Sequence, residues 1–249
     1  MLLLALLMLQ TAPAAAPATP DLPQKQLDEC LDLAASDPQR AEVKAVAWRG
    51  EGGGYRARQC LGVAYANQER WSSAAGALEQ AAREAERERG GSAEIWARAG
   101  NAWLAAGDPA KARAALDAAL ASGSMTGLEL GEAYLDRARV RVAAKDLEGA
   151  RGDLDRALID AASDPLSWLL SASLARLQGD LKRAKTDVDE ALRRSPDDAA
   201  VQLEAGNIAA LLNDEPGARA AWARAIELAP GSDVAVKARG ALAQFGAEQ

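Results

Sequence analysis

Small and large apolar residues recur along this chain in a fixed order. Ala74, Ala112, Ala150, Ala184 and Ala218 stand 38, 38, 34 and 34 residues apart. Each is followed at +4 by a large apolar residue (Leu78, Leu116, Leu154, Val188, Trp222) and at +7 by another alanine (Ala81, Ala119, Ala157, Ala191, Ala225). Positions i, i+4 and i+7 share one face of an α-helix, so every rung of this ladder predicts a helix with a small-large-small seam. Twelve residues before each rung lies a second small residue, Gly62, Gly100, Ala138, Ala172 or Gly206. Trp96, Tyr134 and Trp168 precede three of these by four, which gives an earlier helix its own seam. Gly107-Asp108-Pro109, Lys145-Asp146-Leu147, Gly179-Asp180-Leu181 and Asn213-Asp214-Glu215-Pro216 fall between the two helices. They read as helix stop, N-cap and first turn. Pro196 and Pro230 close the last two units.

The two 38-residue spacings call for an added helical turn, assigned to the charged stretch Glu84 to Arg89 and to Ser122 to Leu128. Upstream, Leu22 to Ala35 and Pro38 to Trp48 predict two helices around Ser36-Asp37-Pro38, with Ala41 lying 33 residues before Ala74 as the rung of a degenerate opening unit. Downstream, Ser232 to Phe245 carries Val234, Val236, Leu242 and Phe245 with no partner helix of its own, as expected of a segment that covers the last unit.

Leu61-Gly62-x-x-Tyr65 with Ala74, Leu78 and Ala81, and Trp96-x-x-Ala99-Gly100-x-x-Trp103 with Ala112, Leu116 and Ala119, resemble the tetratricopeptide repeat. The resemblance extends over residues 55 to 230 and departs from the family pattern at Arg137 and Arg141, where Leu and Tyr are usual. It implies an all-α fold: a right-handed superhelical solenoid of antiparallel helix pairs, with about five repeats, a degenerate N-terminal repeat and a C-terminal capping helix. The organisation expected is a signal peptide at 1–18, the degenerate repeat at 19–54, the repeat array at 55–230 and the cap at 231–249. The function implied is that of a non-enzymatic scaffold or adaptor of the bacterial cell envelope. Two other readings stand beside it, a membrane-anchored subunit of an envelope assembly or secretion complex, and a carboxylate-based glycan-acting enzyme.

Composition narrows these classes. Aromatic residues are only 4% and alanine is abundant, so the core is expected from small side chains on closely approaching helices. A net charge of -7 argues against nucleic acid as a partner, because neutralising phosphates takes a basic face. Histidine is absent, which removes the commonest neutral-pH acid/base and the commonest metal ligand; no metal, no cofactor and no catalytic residue is expected. The glycine run Gly50-Glu51-Gly52-Gly53-Gly54 lacks the Gly-Lys-Ser/Thr of a phosphate loop and reads as a turn between helices.

Leu2 to Leu9 is an apolar run followed by Ala12-Pro13-Ala14 and Ala16-Pro17-Ala18. Eight apolar residues are far short of the about 20 that span a bilayer, but they suit the core of a secretory signal with cleavage after Ala14 or Ala18. Export to the periplasm or envelope is the expectation, with a membrane as partner only if this segment is retained. In an oxidising compartment Cys30 and Cys60, placed by the repeat register on facing edges of the first two inner helices, are expected to form a disulfide worth roughly 3 to 4 kcal/mol by loop entropy.

The register also predicts a concave surface that would hold a protein or peptide partner. Arg56, Gln59, Val63 and Asn67 fall there from the first unit, and Arg98, Asn101 and Ala105 from the second. Asp136, Arg139 and Val142 follow, then Leu169, Leu170, Ser173 and Arg176, and finally Leu203, Glu204 and Asn207. Arginines in four consecutive units suggest a partner of acidic character above an apolar floor at Leu169 and Leu170. The alternative is that these arginines pair with neighbouring acids such as Glu94, Glu132 and Asp136. The carboxylate clamp that some family members carry is not matched, since Gln59 and Val63, or Ala97 and Asn101, occupy its positions.

Overall fold

A computed structural model of the chain describes residues 22–247, and the signal-like run at the N-terminus lies outside them. The described residues form thirteen α-helices and no strand. The opening pair is α1 (Leu22–Ser36) and α2 (Pro38–Gly50). Five further pairs follow: α3 (Gly54–Ala66) with α4 (Trp71–Arg87), α5 (Ala93–Ala105) with α6 (Pro109–Ala121), α7 (Gly127–Ala143) with α8 (Leu147–Asp160), α9 (Pro165–Gln178) with α10 (Leu181–Arg194), and α11 (Ala199–Leu211) with α12 (Glu215–Leu228). The last helix is α13 (Asp233–Ala247). Each helix packs on its neighbours in sequence, and α1 also meets α3, α5 meets α7, and α11 meets both α9 and α13, so the pairs stack into a solenoid.

The seams are what close each pair. Every ladder alanine and every alanine seven residues on is fully buried, as is the large residue between them to within a few per cent. Opposite stands the small residue of the first helix, and the approach leaves no room for more. A Cβ on Gly62 would lie 2.5 Å from Leu78 Cγ, and one on Gly100 2.6 Å from Leu116 Cγ and 3.2 Å from the Ala112 carbonyl oxygen. The turns between paired helices follow the predicted grammar: Gly107, Lys145, Gly179 and Asn213 take positive φ. The aspartates that follow accept the free backbone N–H three residues on, at Lys111, Gly149, Arg183 and Gly217, each at 3.0 Å. Asp108 is held below the ordinary carboxylate range chiefly by the Lys111 backbone N–H.

One added turn lies where the spacing places it, at the end of α4, a helix of 17 residues. The other does not. Ser122 to Thr126 is non-helical, and the extra turn is the first turn of α7, also 17 residues long. Gly123 and Gly127 both take positive φ, and Ser122 Oγ donates to the Ala119 carbonyl at 2.7 Å, so the chain leaves the helix between them.

At Arg137 and Arg141, where the family pattern is broken, the structure places a buried ionic cluster. Asp153, 3% exposed, accepts from Arg137 Nε at 2.9 Å and from its terminal nitrogen at 2.6 Å, while Arg141 Nε stands 3.2 Å away. Arg137 also reaches Asp117 at 2.8 Å. The Asp153 carboxylate raises the Arg137 guanidinium above its ordinary value. One unit on, Ser171 Oγ donates to buried Asp187 at 2.5 Å and accepts from Arg151 at 2.7 Å. Both contacts join the residue before the small position of the first helix to the residue three beyond the ladder alanine. The other units place Leu61 with Ala77, Ala99 with Ala115 and Ala205 with Ala221 at these sites.

Near the start of the array, Cys30 of α1 and Cys60 of α3 have their sulfurs at bonding distance, 2.01 Å, with Cα atoms 6.0 Å apart. The bridge lies in a small core of Leu27, Ala45 and Leu61.

Candidate binding groove

Helices α1, α3, α5, α7, α9 and α11 line one side of the solenoid. Contacts are closer between α1 and α3, α5 and α7, and α9 and α11 than between α3 and α5 or α7 and α9. Two cavities open where the helices stand apart.

The cavity between α7 and α9 is about 240 Å³. Its floor is apolar: Val142 from α7, Leu154 from α8, and Leu170, Leu174 and Leu177 from α9. Arg139 and Ser173 stand at its rim. Leu177 is 56% exposed and continues to the surface the apolar stripe begun by half-buried Leu170 and buried Leu174. The structure thus brings together Arg139, Val142, Leu170 and Ser173 from the predicted set and leaves Leu169, half-buried, outside. Leu177 escaped the sequence reading although the signal was present, since it lies five residues past Ala172, the offset of Asn67 from Gly62 and of Ala105 from Gly100.

The second cavity, about 300 Å³, lies between α1, α3 and the start of α5 and includes Gln59. Arg56 is not part of it. Its guanidinium lies 4.7 Å from the Tyr55 ring centroid and faces a crevice with Trp48 and Glu88 at the glycine turn. Asn67 donates to the Ala34 carbonyl at 2.9 Å and ties the end of α3 to α1.

The remaining predicted groove residues are engaged with one another. Arg98 pairs with Glu94 at 2.5 Å. Asn101 donates to Asp136 Oδ2 at 2.6 Å, and Arg139 donates to Asp136 Oδ1 at 3.3 Å. Arg176 donates to Glu204 at 2.7 and 3.3 Å, and Asn207 donates to the same carboxylate at 3.3 Å while accepting from the Trp222 indole at 3.1 Å. Burial raises the Asp136 carboxyl above the ordinary aspartate value, against the lowering effect of Asn101 and Arg139. Arg98, Arg139 and Arg176 are therefore held by acids of the chain itself, and the cavity between α7 and α9 presents apolar chemistry.

Stacked antiparallel helix pairs with small-large seams, capped turns and a one-sided groove define a helical-repeat solenoid. A family model described as Tetratricopeptide repeat matches residues 61–124, 104–167 and 169–233, and the chain belongs to that family. No curated protein matches it in sequence. Among solved structures it is similar to PilF of Pseudomonas aeruginosa, with a TM-score of 0.72 at 16% identity over 91% of this chain and 99% of that one. It is similar also to PilW, described as a widely conserved type IV pilus biogenesis factor, with a TM-score of 0.74 at 19% identity over 90% of this chain and 100% of that one. A third is YrrB, described as a tetratricopeptide protein with an unusual peptide-binding site, with a TM-score of 0.56 at 17% identity over 74% and 91%. No described helix is long and apolar enough to cross a membrane.

Proposed function

We propose that the protein is a non-enzymatic adaptor that holds a partner polypeptide along its inner groove, with an apolar side chain of that partner seated between α7 and α9. The observation that carries this is the apolar cavity floored by Leu170, Leu174 and Leu177, with Leu177 left 56% exposed. Burying one large apolar side chain there is worth about 1.5–3 kcal/mol, enough to anchor an extended or helical segment. Arg139 and Ser173 at the rim supply hydrogen bonds to its backbone. Two of the groove carboxylates, Asp136 and Glu204, are each taken up by two donors of the chain itself, which favours a structural part for them over an acid or base in glycan chemistry.

A place in the cell envelope is the reading favoured by the signal-like run Leu2 to Leu9, together with the likeness to a pilus biogenesis factor. The same run, if retained, would make the protein a membrane-held subunit, and fractionation of cells separates the two by whether full-length chain stays in washed membranes.

The groove reading is tested by Leu170→Asp with Leu177→Asp, beside Ile159→Asp on the outer face, where Ile159 is 70% exposed. Partner recovered with the parent protein should be lost with the first variant and kept with the second. Equal recovery with both would remove the groove from the account.

A further inference from the structure

The cavity between α1, α3 and α5 differs in chemistry from the apolar one. Gln59 sits in its wall, 6% exposed, and its side-chain amide has no hydrogen-bond partner among the described residues. With the rest of the side chain enclosed by protein, this amide presents its unused donor and acceptor to whatever fills the cavity, the place for a ligand's polar atom. Two carboxylates stand at the same cavity. Asp28 accepts from Gln24 at 2.9 Å through Oδ1 only, and Glu94 takes both nitrogens of Arg98 through Oε1 only. Asp28 Oδ2 and Glu94 Oε2 have no hydrogen bond among the described residues. No Lys or Arg lines the cavity. Between these polar groups the surface is apolar, built from Leu27, Leu31, Tyr55 and Ile95.

We propose that this cavity receives one basic side chain, lysine or arginine, of the partner polypeptide. The aliphatic stem lies against Leu27, Leu31 and Ile95, and the cationic head is met by Gln59 Oε1 and the open oxygens of Asp28 and Glu94. The division of labour is that of a long amphipathic side chain, whose stem prefers apolar surface while its head needs acceptors. A neutral apolar side chain would leave Gln59 unpaired, and an acidic one would face two carboxylates. The proposal rests on the groove reading and adds to it a direction: a basic residue at the N-terminal end of the array and an apolar one near α7 and α9. Cys30 lies between Leu27 and Leu31 in α1, and its bridge to Cys60, next to Gln59, holds the two walls together.

Isotope-labelled protein titrated with the blocked peptide acetyl-Gly-Ala-Lys-Ala-Gly-amide, and with its norleucine and glutamate counterparts, tests this by NMR. The lysine peptide should shift the Gln59 side-chain amide and the Ile95 backbone signal, at least fivefold more tightly than the norleucine peptide, and the glutamate peptide should leave both unmoved. Gln59→Leu should remove the lysine preference, as should the surface pair Asp28→Asn with Glu94→Gln, which leaves the core untouched if the first variant folds poorly. Equal binding of lysine and norleucine peptides, shifts confined to other residues, or a preference that survives Asp28→Asn with Glu94→Gln would overturn the proposal. If Leu170→Asp with Leu177→Asp loses the partner while the lysine peptide shows no preference, the groove reading stands and this proposal alone falls.

Discussion

At the residue scale, the ionic cluster in the third unit shows how a solenoid core tolerates charge. Asp153 is almost wholly buried and is acceptable only because Arg137 grips both its oxygens and Arg141 approaches one of them. Removing one partner of a buried pair leaves the other charge uncompensated, at about 3–5 kcal/mol. Arg137→Leu is therefore expected to destabilise the protein in chemical denaturation, somewhat less than that because Arg141 remains. Adding Asp153→Ala should recover most of the loss, since the pair then copies Leu61 with Ala77 of the first unit. A double variant no more stable than Arg137→Leu would contradict the account. Asp136 gives a pH dependence with a definite sign. Its carboxyl is raised by burial, so the stability it contributes is complete below the ordinary aspartate value of about 3.9 and is lost as pH rises through the higher folded-state value. Asp136→Asn escapes that loss. Its melting temperature relative to the parent should be higher at pH 7 than at pH 4, and a difference independent of pH would argue against the raised value. The pairs within one helix, Arg98 with Glu94 and Arg139 with Asp136, match the alternative the sequence offered for the groove arginines; the pairs between helices were not read from it. Asp136 finds Asn101, and Arg176 finds Glu204, across 35 and 28 residues, which depends on how consecutive units stack. The Arg137 and Asp153 pair was nearer to legible, because polar residues occupy two offsets that are apolar in three of the other units.

At the element scale, the ladder spacing located nearly every helix, because a small-large-small seam permits only one face to be buried and the turn residues between helices have few alternatives. Its miss is the extra turn in the second 38-residue unit. Periodicity counts residues between rungs without saying on which side of a loop they fall, and the glycines at 123 and 127 decided it. The opening pair is the element most dependent on a single bond. Among the described residues, α1 is held by its contacts with α2 and α3 and by Cys30–Cys60. Closing a 30-residue loop in the unfolded chain is worth roughly 3–4 kcal/mol. Under reductant, hydrogen exchange should accelerate first in α1 and α2 and leave α9 to α12 protected. Uniform acceleration across all units would show that the bridge supports the array as a whole.

At the scale of the whole molecule, stacked pairs distribute stability along one axis and give each unit two roles, one towards its neighbours and one towards the groove. The concave face carries different chemistry along its length: carboxylates with one unused oxygen each and an unpaired amide near α1, α3 and α5, a hydrogen bond from Asn101 to Asp136 across α5 and α7, an apolar cavity between α7 and α9, and an ion pair between α9 and α11. The central claim is that a polypeptide lies along this face. A photo-crosslinking amino acid at position 177, compared with one at position 159 on the outer face, tests it in intact cells. The account predicts a discrete crosslinked protein from position 177, suppressed by Leu170→Asp, and none from position 159; crosslinking from 159 alone, or equally from both, would contradict it.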